Sequence, residues 1–484
     1  MSKPKYSTFY PYICVMYALS VTAGCAKMQI VRMKRFLTII SIIIFVAYMA
    51  VSIIVLSRHG YLGERYALSE QRMAKADSVI NSAIAADDFP GAVLCVVRRA
   101  LDNESMGRIL YLKAYGNRQV CSGRDTVSGE WIADTIAMTT DAVFDLASLS
   151  KCVGTTLSFM RLVENGQVRL TDDVSRYIPG FKPWESEPEK KGEKVEKEDI
   201  TIKHLLTHTS GIPAAIHVPS FLRRYEKYGD TATMNLRDSL VTYLANDAAR
   251  LSRPGEVMRY SCLNFITLQA IIEAVSGERL DKFAQREVFE PMQLGNTWYN
   301  YIDAEPPYLP DAPIVPTTVQ EDGRLLYGEV HDPTARIVNR GVSGNAGVFS
   351  TAEDLATIAS MLMNRGVIRI DKDGLQGRVG ANERVRLFSQ AAVDTFFSVP
   401  AEYAEHGRAL GWDISSGYSA SNGDLFTPNA APNHTGYTGT SMAIDMERGV
   451  AVILLTNRVH PIDDGAVGRT RAVVSNIVMS ALDK

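Results

Sequence analysis

Two serines stand just ahead of a lysine in the stretch "FDLASLSKCVG": Ser148 and Ser150, followed by Lys151. The chemistry available to such residues is nucleophilic: a serine hydroxyl attacks a carbonyl carbon while a neighbouring amine takes its proton. Spacing separates the two serines. On a helix, Ser148 and Lys151 are three residues apart and share a face, whereas Ser150 and Lys151 are adjacent and diverge. If there is a nucleophile here, it is Ser148. The four-residue pattern alone is not specific, since "SKPK" (Ser2–Lys5) repeats it in a tail without structural promise. A serine at a helix start is most often a cap.

Catalysis needs more than the pair. The lysine must be partly neutral to accept a proton, which calls for burial or a nearby cation. A helix amino terminus supplies unpaired N–H groups and a positive dipole end for developing negative charge. Tyr260, in "RPGEVMRYSCLNF", is a candidate second proton carrier, although an isolated tyrosine there is more often a core residue. A strand edge facing the serine is offered by "NHTGYTGTSMAIDM", where Gly436 and Gly439 permit close approach of backbone to ligand. His434 in the same stretch could donate to a substrate carboxylate or assist proton transfer; a lone histidine near a turn is otherwise an ordinary surface residue.

The elements that must position these residues are legible in outline. "ALSEQRMAKADSVINSAIAADD" (Ala67–Asp88) has helix composition and stops at Pro90–Gly91. "GAVLCVVRR" and "RILYLKAYG" flank the turn-like "ALDNESMG" as a hairpin, and "TSMAIDM" and "VAVILLTN" flank "ERG" as another. A closing helix follows in "AVGRTRAVVSNIVMSALDK", and most of the middle reads as helices and loops. Strands at both ends around a helical middle predict an α/β fold: one antiparallel sheet built from both ends of the domain, flanked by helices, with an inserted helical subdomain. The charged, apolar-poor stretch Lys182–Asp199 reads as a solvated surface loop.

Bulk composition excludes several function classes. The net charge is −3 with 22% charged residues, which gives no nucleic-acid surface. The six cysteines are scattered without Cys-x-x-Cys or paired Cys/His spacing, so no zinc or disulfide framework is predicted, and no metal or cofactor is called for. The amino end differs from the rest. "FLTIISIIIFVAYMAVSIIVL" (residues 36–56) carries no charge and is long enough to cross about 30 Å of hydrocarbon. Arg32, Lys34 and Arg35 before it predict a single-pass anchor with residues 1–35 cytoplasmic and the domain at 67–484 outside. A cleaved signal peptide is the alternative, although its apolar region is usually only ~7–15 residues. A second apolar run at Phe9–Lys27 reads as another membrane segment, or as untranslated if the chain starts at Met33.

Residues 86–484 resemble the serine β-lactamase and penicillin-binding-protein-like hydrolases, the branch around class C β-lactamases, DD-peptidases and related esterases. The segments that carry the resemblance occur in the family's order: "FPGAVLCVVRR", "FDLASLSK", "LVENGQVRLTDDVSRYIPGF", "ITIKHLLTHTSGIP", "PGEVMRYS", "GEVHDPTA", "GNAGVFSTAEDLA", "NHTGYTGTS" and "VILLTNRVHP". The resemblance implies that Ser148 is the acylated nucleophile, Lys151 its base and Tyr260 a proton shuttle. It implies that His434, Thr435 and Gly436 occupy the Lys-Thr-Gly triplet, and that the N–H groups of Ser148 and Tyr437 form the oxyanion hole. Three departures stand out. Cys262 replaces the asparagine of the Tyr-x-Asn triplet, Asn345 stands where many relatives have histidine, and Asn433 replaces a glycine. Cys262 counts against β-lactam hydrolysis more than against simple acyl transfer. The implied function is a membrane-anchored serine hydrolase on the periplasmic or outer face of a bacterial membrane. Its substrates, in order of expectation, are peptidoglycan stem peptides or other D-amino-acid peptides, small esters and β-lactams. A non-catalytic receptor for cell-wall peptide or antibiotic on the same fold is the alternative.

Overall fold

The computed structural model describes residues 67–99, 107–188, 194–229, 235–303, 311–371 and 382–482, with seven further positions between 40 and 49. The chain divides into two units, Met1–Ala67 and Leu68–Lys484. In the first, the seven described positions between 40 and 49 are helical. The rest of the predicted span at 36–56, and all of 1–35, lie outside the described residues. Among the described residues no helix is long and apolar enough to cross a membrane.

The second unit begins with α1 (Glu70–Ala85), β1 (Gly91–Arg98), β2 (Arg108–Arg124) and β3 (Trp131–Ala137). Strand β4 (Phe144–Asp145) leads into α2 (Leu157–Glu164), and a hairpin of β5 (Trp184–Glu185) with β6 (Lys197–Glu198) occupies the expected surface loop. The helical part follows: α3 (Ile202–Leu206), α4 (Val218–Tyr225), α5 (Leu236–Asn246), α6 (Cys262–Ser276) and α7 (Leu280–Ala284). Next come β7 (Trp298–Tyr299), β8 (Val348–Ser350), α8 (Ala352–Met363), the hairpin β9 (Val367–Asp371) with β10 (Asn382–Arg386), and α9 (Gln390–Phe396). The chain returns to the sheet with β11 (Asn433–Thr435), β12 (Ser441–Asp445) and β13 (Val450–Thr456), and closes on α10 (Gly468–Ala481).

The main sheet runs β11-β12-β13-β1-β2-β3, antiparallel at each pairing, so strands from both ends of the domain meet at β1 and β13. These two central strands read as unbroken apolar runs because both of their faces are covered. Alternation then sorts the side chains. Val93, Cys95 and Val97 pack with Ala451, Ile453 and Leu455 into a core shared with α8 and the helical part. Ala92, Leu94 and Val96 pack with Val450, Val452 and Leu454 beneath α1 and α10. Each fully buried Val, Leu or Ile contributes roughly 1.5–3 kcal/mol. Strand β3 was not anticipated from the sequence; "WIADTIA" is mostly exposed on the sheet edge, so burial imposed no pattern on it.

A second, three-stranded sheet runs β4-β8-β7, joining a strand that precedes the helical part to two that follow it. Its register pairs Phe144 with Ser350 and Asp145 with Phe349. This small sheet carries the residues that precede Ser148.

Candidate active site

β4 hands the chain to a tight 3₁₀ turn, Ala147–Leu149, and then to a widened π-helical turn, Lys151–Thr156. The sequence predicted an ordinary helix start. The turn is instead tense, with Ala147 at φ 46° in the left-handed region that L-residues avoid. Three side chains hold it there. The buried carboxylate of Asp145 accepts the N–H groups of Ala147 at 2.8 Å and His331 at 2.7 Å. Burial pushes its pKa up to about 6. Thr438 donates to the Asp145 carbonyl (2.7 Å) and Thr440 to that of Leu146 (2.9 Å), stitching the β11–β12 turn onto the nucleophile turn.

Ser150 is accounted for by structure: its hydroxyl accepts the N–H of Val348 at 3.0 Å and anchors β8. Ser148 is left to the pocket. Lys151 is fully buried, and its Nζ donates to Ser148 Oγ (2.9 Å), the Asn345 carbonyl (3.0 Å) and Cys262 Sγ (3.5 Å). An ammonium has three N–H donors, and all three find acceptors here. Burial works against that charge, but Cys262 and Tyr260 favour it, and the net pKa direction is upward. The resting lysine is therefore charged, where the sequence argument called for a partly neutral amine.

The Tyr260 hydroxyl faces Ser148 and Lys151, whose influence favours its ionised form. Burial pushes its pKa up although Lys151 opposes this, so it rests as a neutral hydroxyl. The Lys151 Nζ sits 5.0 Å from the centre of its ring. Ser148, Lys151 and Tyr260, drawn from two distant segments, thus converge.

Opposite them, β11 forms the wall of a cavity of about 280 Å³ that includes Ser148, Tyr260, His434, Thr435, Gly436 and Tyr437. Gly436 is required by space: a Cβ would run into Thr440 Oγ1 and the Leu146 carbonyl. His434 differs from expectation. Its Nδ1 lies 2.8 Å from the Thr435 carbonyl, which can only accept, so Nδ1 carries the proton. Burial, Arg408 and Lys151 hold the ring's pKa well below the usual histidine range. The buried Nε2, which has no partner, is then a lone-pair acceptor and cannot donate to a carboxylate. Tyr437 is half-exposed at the rim, where its hydroxyl donates to Asp463 (2.7 Å) and its carbonyl accepts from Arg458 Nε (2.7 Å).

The departures from the family pattern also find places. Cys262 stands beside Lys151, as the distance above shows. Asn264, two residues on, is buried and occupied elsewhere, accepting from Ser210 Oγ at 2.6 Å. Asn345 contributes its backbone carbonyl to Lys151 and turns its side chain to Ser343. The Asn433 amide is buried against the carbonyls of Asp413 and Ala431.

Two arginines escaped the sequence analysis. Arg408 and Arg471 are both buried and both line the cavity. Arg408 pairs with Asp413 through Nη1 at 2.9 Å, while its Nε and Nη2 have no acceptor. Arg471, from α10, donates through Nη2 to the carbonyls of Gly436 and Thr440 and leaves Nε without a partner. Burial lowers its pKa to about 9. Nothing near Ser148 in sequence signals either residue. Among the described residues no cluster of His, Cys, Asp and Glu could hold a metal ion.

With this geometry in place, comparison with known proteins is informative. The sequence profile of the Beta-lactamase family matches residues 76–476. An N-acetylmuramyl-L-alanine amidase of Bacillus subtilis is 31% identical over 407 residues, covering 81% of this chain and 82% of the relative. A protein of Salmonella typhi described as a candidate D-alanyl-D-alanine carboxypeptidase is 28% identical over 412 residues, covering 82% and 85%. Among solved structures, EstCE1, a hydrolase with promiscuous acyltransferase activity, superposes with a TM-score of 0.58 at 22% identity over 84% of this chain and 99% of its own. The chain belongs to the Beta-lactamase family and is a hydrolase of that family.

Proposed function

We propose that this chain is a membrane-anchored serine hydrolase that works through an acyl-enzyme on Ser148 and acts on peptidoglycan-derived peptides. The observation that carries the reading is the bond from buried Lys151 Nζ to Ser148 Oγ, with the Tyr260 ring beside that amine and all of it at the cavity. At rest Lys151 is an ammonium and Tyr260 a phenol, so the attacking species has lost one proton from this pair. The pair then takes the proton of Ser148 as its oxygen bonds to the substrate carbonyl carbon. The N–H groups of Ser148 and Tyr437 would hold the oxyanion. The pair returns the proton to the leaving amine or alcohol as its bond to carbon breaks. Water, deprotonated by the same pair, attacks the acyl carbon; as the bond to Ser148 Oγ breaks, the pair returns that proton to Oγ, releasing the acyl group as a carboxylic acid and regenerating the serine hydroxyl.

The unpartnered N–H donors of Arg408 and Arg471 favour a substrate that brings a carboxylate or another anionic acceptor into the cavity. This agrees with the peptide substrates in the names of the bacillary and salmonella relatives, and ranks peptides above neutral esters. The run at 36–56, with basic residues before it, would anchor the chain with the catalytic domain on the periplasmic or outer face. The test is mass-spectrometric analysis of muropeptides incubated with the wild type and with Ser148→Ala. Cleavage by the wild type alone supports the reading, while equal cleavage by the variant, or none by either protein, overturns it. Fractionation of cells expressing the chain with and without residues 36–56 tests the anchor; recovery of both forms in the soluble fraction would refute it.

A further inference from the structure

One residue of the segment "ITIKHLLTHTSGIP" has no part in the chemistry above, yet the structure holds it against Tyr260. His208 is fully buried and sits at φ 59°, in the left-handed region, just past the end of α3. This conformation closes α3, with the His208 N–H donating to the Leu205 carbonyl (3.2 Å) and the Thr209 N–H to that of His204 (2.9 Å). The residue's other bonds go to the residues on either side of Tyr260. The His208 carbonyl accepts the N–H of Arg259 at 2.8 Å, and its Nδ1 accepts the N–H of Ser261 at 3.1 Å. Between these two bonds the imidazole lies against the Tyr260 ring, with centroids 4.5 Å apart and planes tilted by 34°. The imidazole also packs on Phe265, with ring centroids 5.2 Å apart.

The ring's tautomer follows from its partners. Nδ1 accepts from Ser261 and lies 3.4 Å from the Asn264 amide nitrogen, whose oxygen is taken by Ser210. Nδ1 is therefore unprotonated, and Nε2, buried without a partner, bears the hydrogen. Protonation would add charge beside Lys151, Arg408 and His434, and these with burial keep the ring neutral. His208 cannot reach the reacting atoms as an acid or base. Its imidazole meets Tyr260, Ser261 and, in the first turn of α6, Asn264 and Phe265.

We infer that His208 is a positioning residue for Tyr260: the two hydrogen bonds fix the backbone on both sides of the tyrosine, and the imidazole fixes the plane of its ring. This rests on the reading of Tyr260 as the proton carrier, so it predicts a loss that disappears when Tyr260 is already disabled. His208→Asn is the variant of choice, because asparagine tolerates the left-handed backbone and can still accept from Ser261, but lacks the ring that faces Tyr260. His208→Gly frees the same φ and serves if the asparagine variant does not fold, as judged by its thermal midpoint.

The experiment measures covalent inactivation of the full-length chain in detergent by a fluorophosphonate. Rate and saturation constants are resolved for wild type, His208→Asn, Tyr260→Phe and the double variant. We expect the maximal inactivation rate of His208→Asn to fall about tenfold or more, within the range that proton transfer supplies, with the saturation constant unchanged. In the Tyr260→Phe background the same substitution should cost nothing further. A full additional loss in that background, or an effect on the saturation constant alone, overturns the inference about His208 and leaves the reading of Tyr260 standing. If Tyr260→Phe itself leaves the rate unchanged, the reading of Tyr260 fails first and the inference falls with it.

Discussion

Lys151 Nζ lies 2.9 Å from Ser148 Oγ, and its two other bonds go to Asn345 and Cys262, so the amine is held by one residue from each of three segments. Removing it should stop proton transfer without removing the cavity wall. Lys151→Ala is expected to lower kcat about 10²–10⁴-fold while the protein stays folded, as a paired measurement of turnover and circular dichroism would show. Near-native activity in a folded variant would contradict the assignment.

The pH dependence should be simple on the acid side. His434 and His208 are held neutral by burial well below pH 6.5, so neither supplies a limb between pH 6 and 7. The raised pKa of Lys151 places the productive deprotonation on the alkaline side, so kcat/KM should climb as pH rises above neutrality. A profile that is flat from pH 7 to 10 would show that the resting pair has already lost its proton.

Stability should respond to the same histidines in the opposite range. Their folded pKa values lie below the unfolded value of 6.5, with His204 at about 4, so below pH 6.5 the unfolded chain binds more protons. Stability is then complete above pH 6.5 and falls with acidification, by about 1.4 kcal/mol per pH unit for each such histidine. Thermal midpoints measured from pH 8 to pH 4 should decline from about pH 6.5 downward; a midpoint constant to pH 5 would be inconsistent with these buried neutral rings.

Arg408 offers a test of substrate class. Arg408→Lys keeps a cation beside Asp413 but loses the planar fork of donors. It should lower kcat/KM for a carboxylate-bearing peptide by roughly tenfold, the effect of losing about 1.4 kcal/mol of binding, and leave a neutral p-nitrophenyl ester unaffected. Equal losses on both would assign Arg408 to folding and not to selectivity.

Much of the framework could be read from the amino acids alone. The central strands announced themselves as long apolar runs because both of their faces are covered, and α1 was expected over Ala67–Asp88 and is found at Glu70–Ala85. The choice of Ser148 over Ser150 followed from spacing, and the structure adds what Ser150 does instead. The rest was illegible for physical reasons. Strand β3 buries too little to carry a pattern. The proton on His434 is set by the Thr435 carbonyl, a backbone contact that no side-chain reading anticipates. Arg408 and Arg471 reach the cavity from segments far from Ser148, and their unpartnered donors exist only in three dimensions. His208 was visible as part of a recognisable segment, but its purpose lies in the two bonds that bracket Tyr260.

The central claim is that Ser148 forms an acyl-enzyme. It is tested most directly by incubating the full-length protein and Ser148→Ala with a fluorescent penicillin and, separately, a fluorophosphonate, and following covalent labelling over time. Labelling of the wild type by the fluorophosphonate, and its absence from the variant, is the predicted result, with the lifetime of any penicillin adduct separating a β-lactamase from a penicillin-sensitive peptidase. A folded wild type that takes neither label, or a Ser148→Ala variant that labels as well as the wild type, would contradict it.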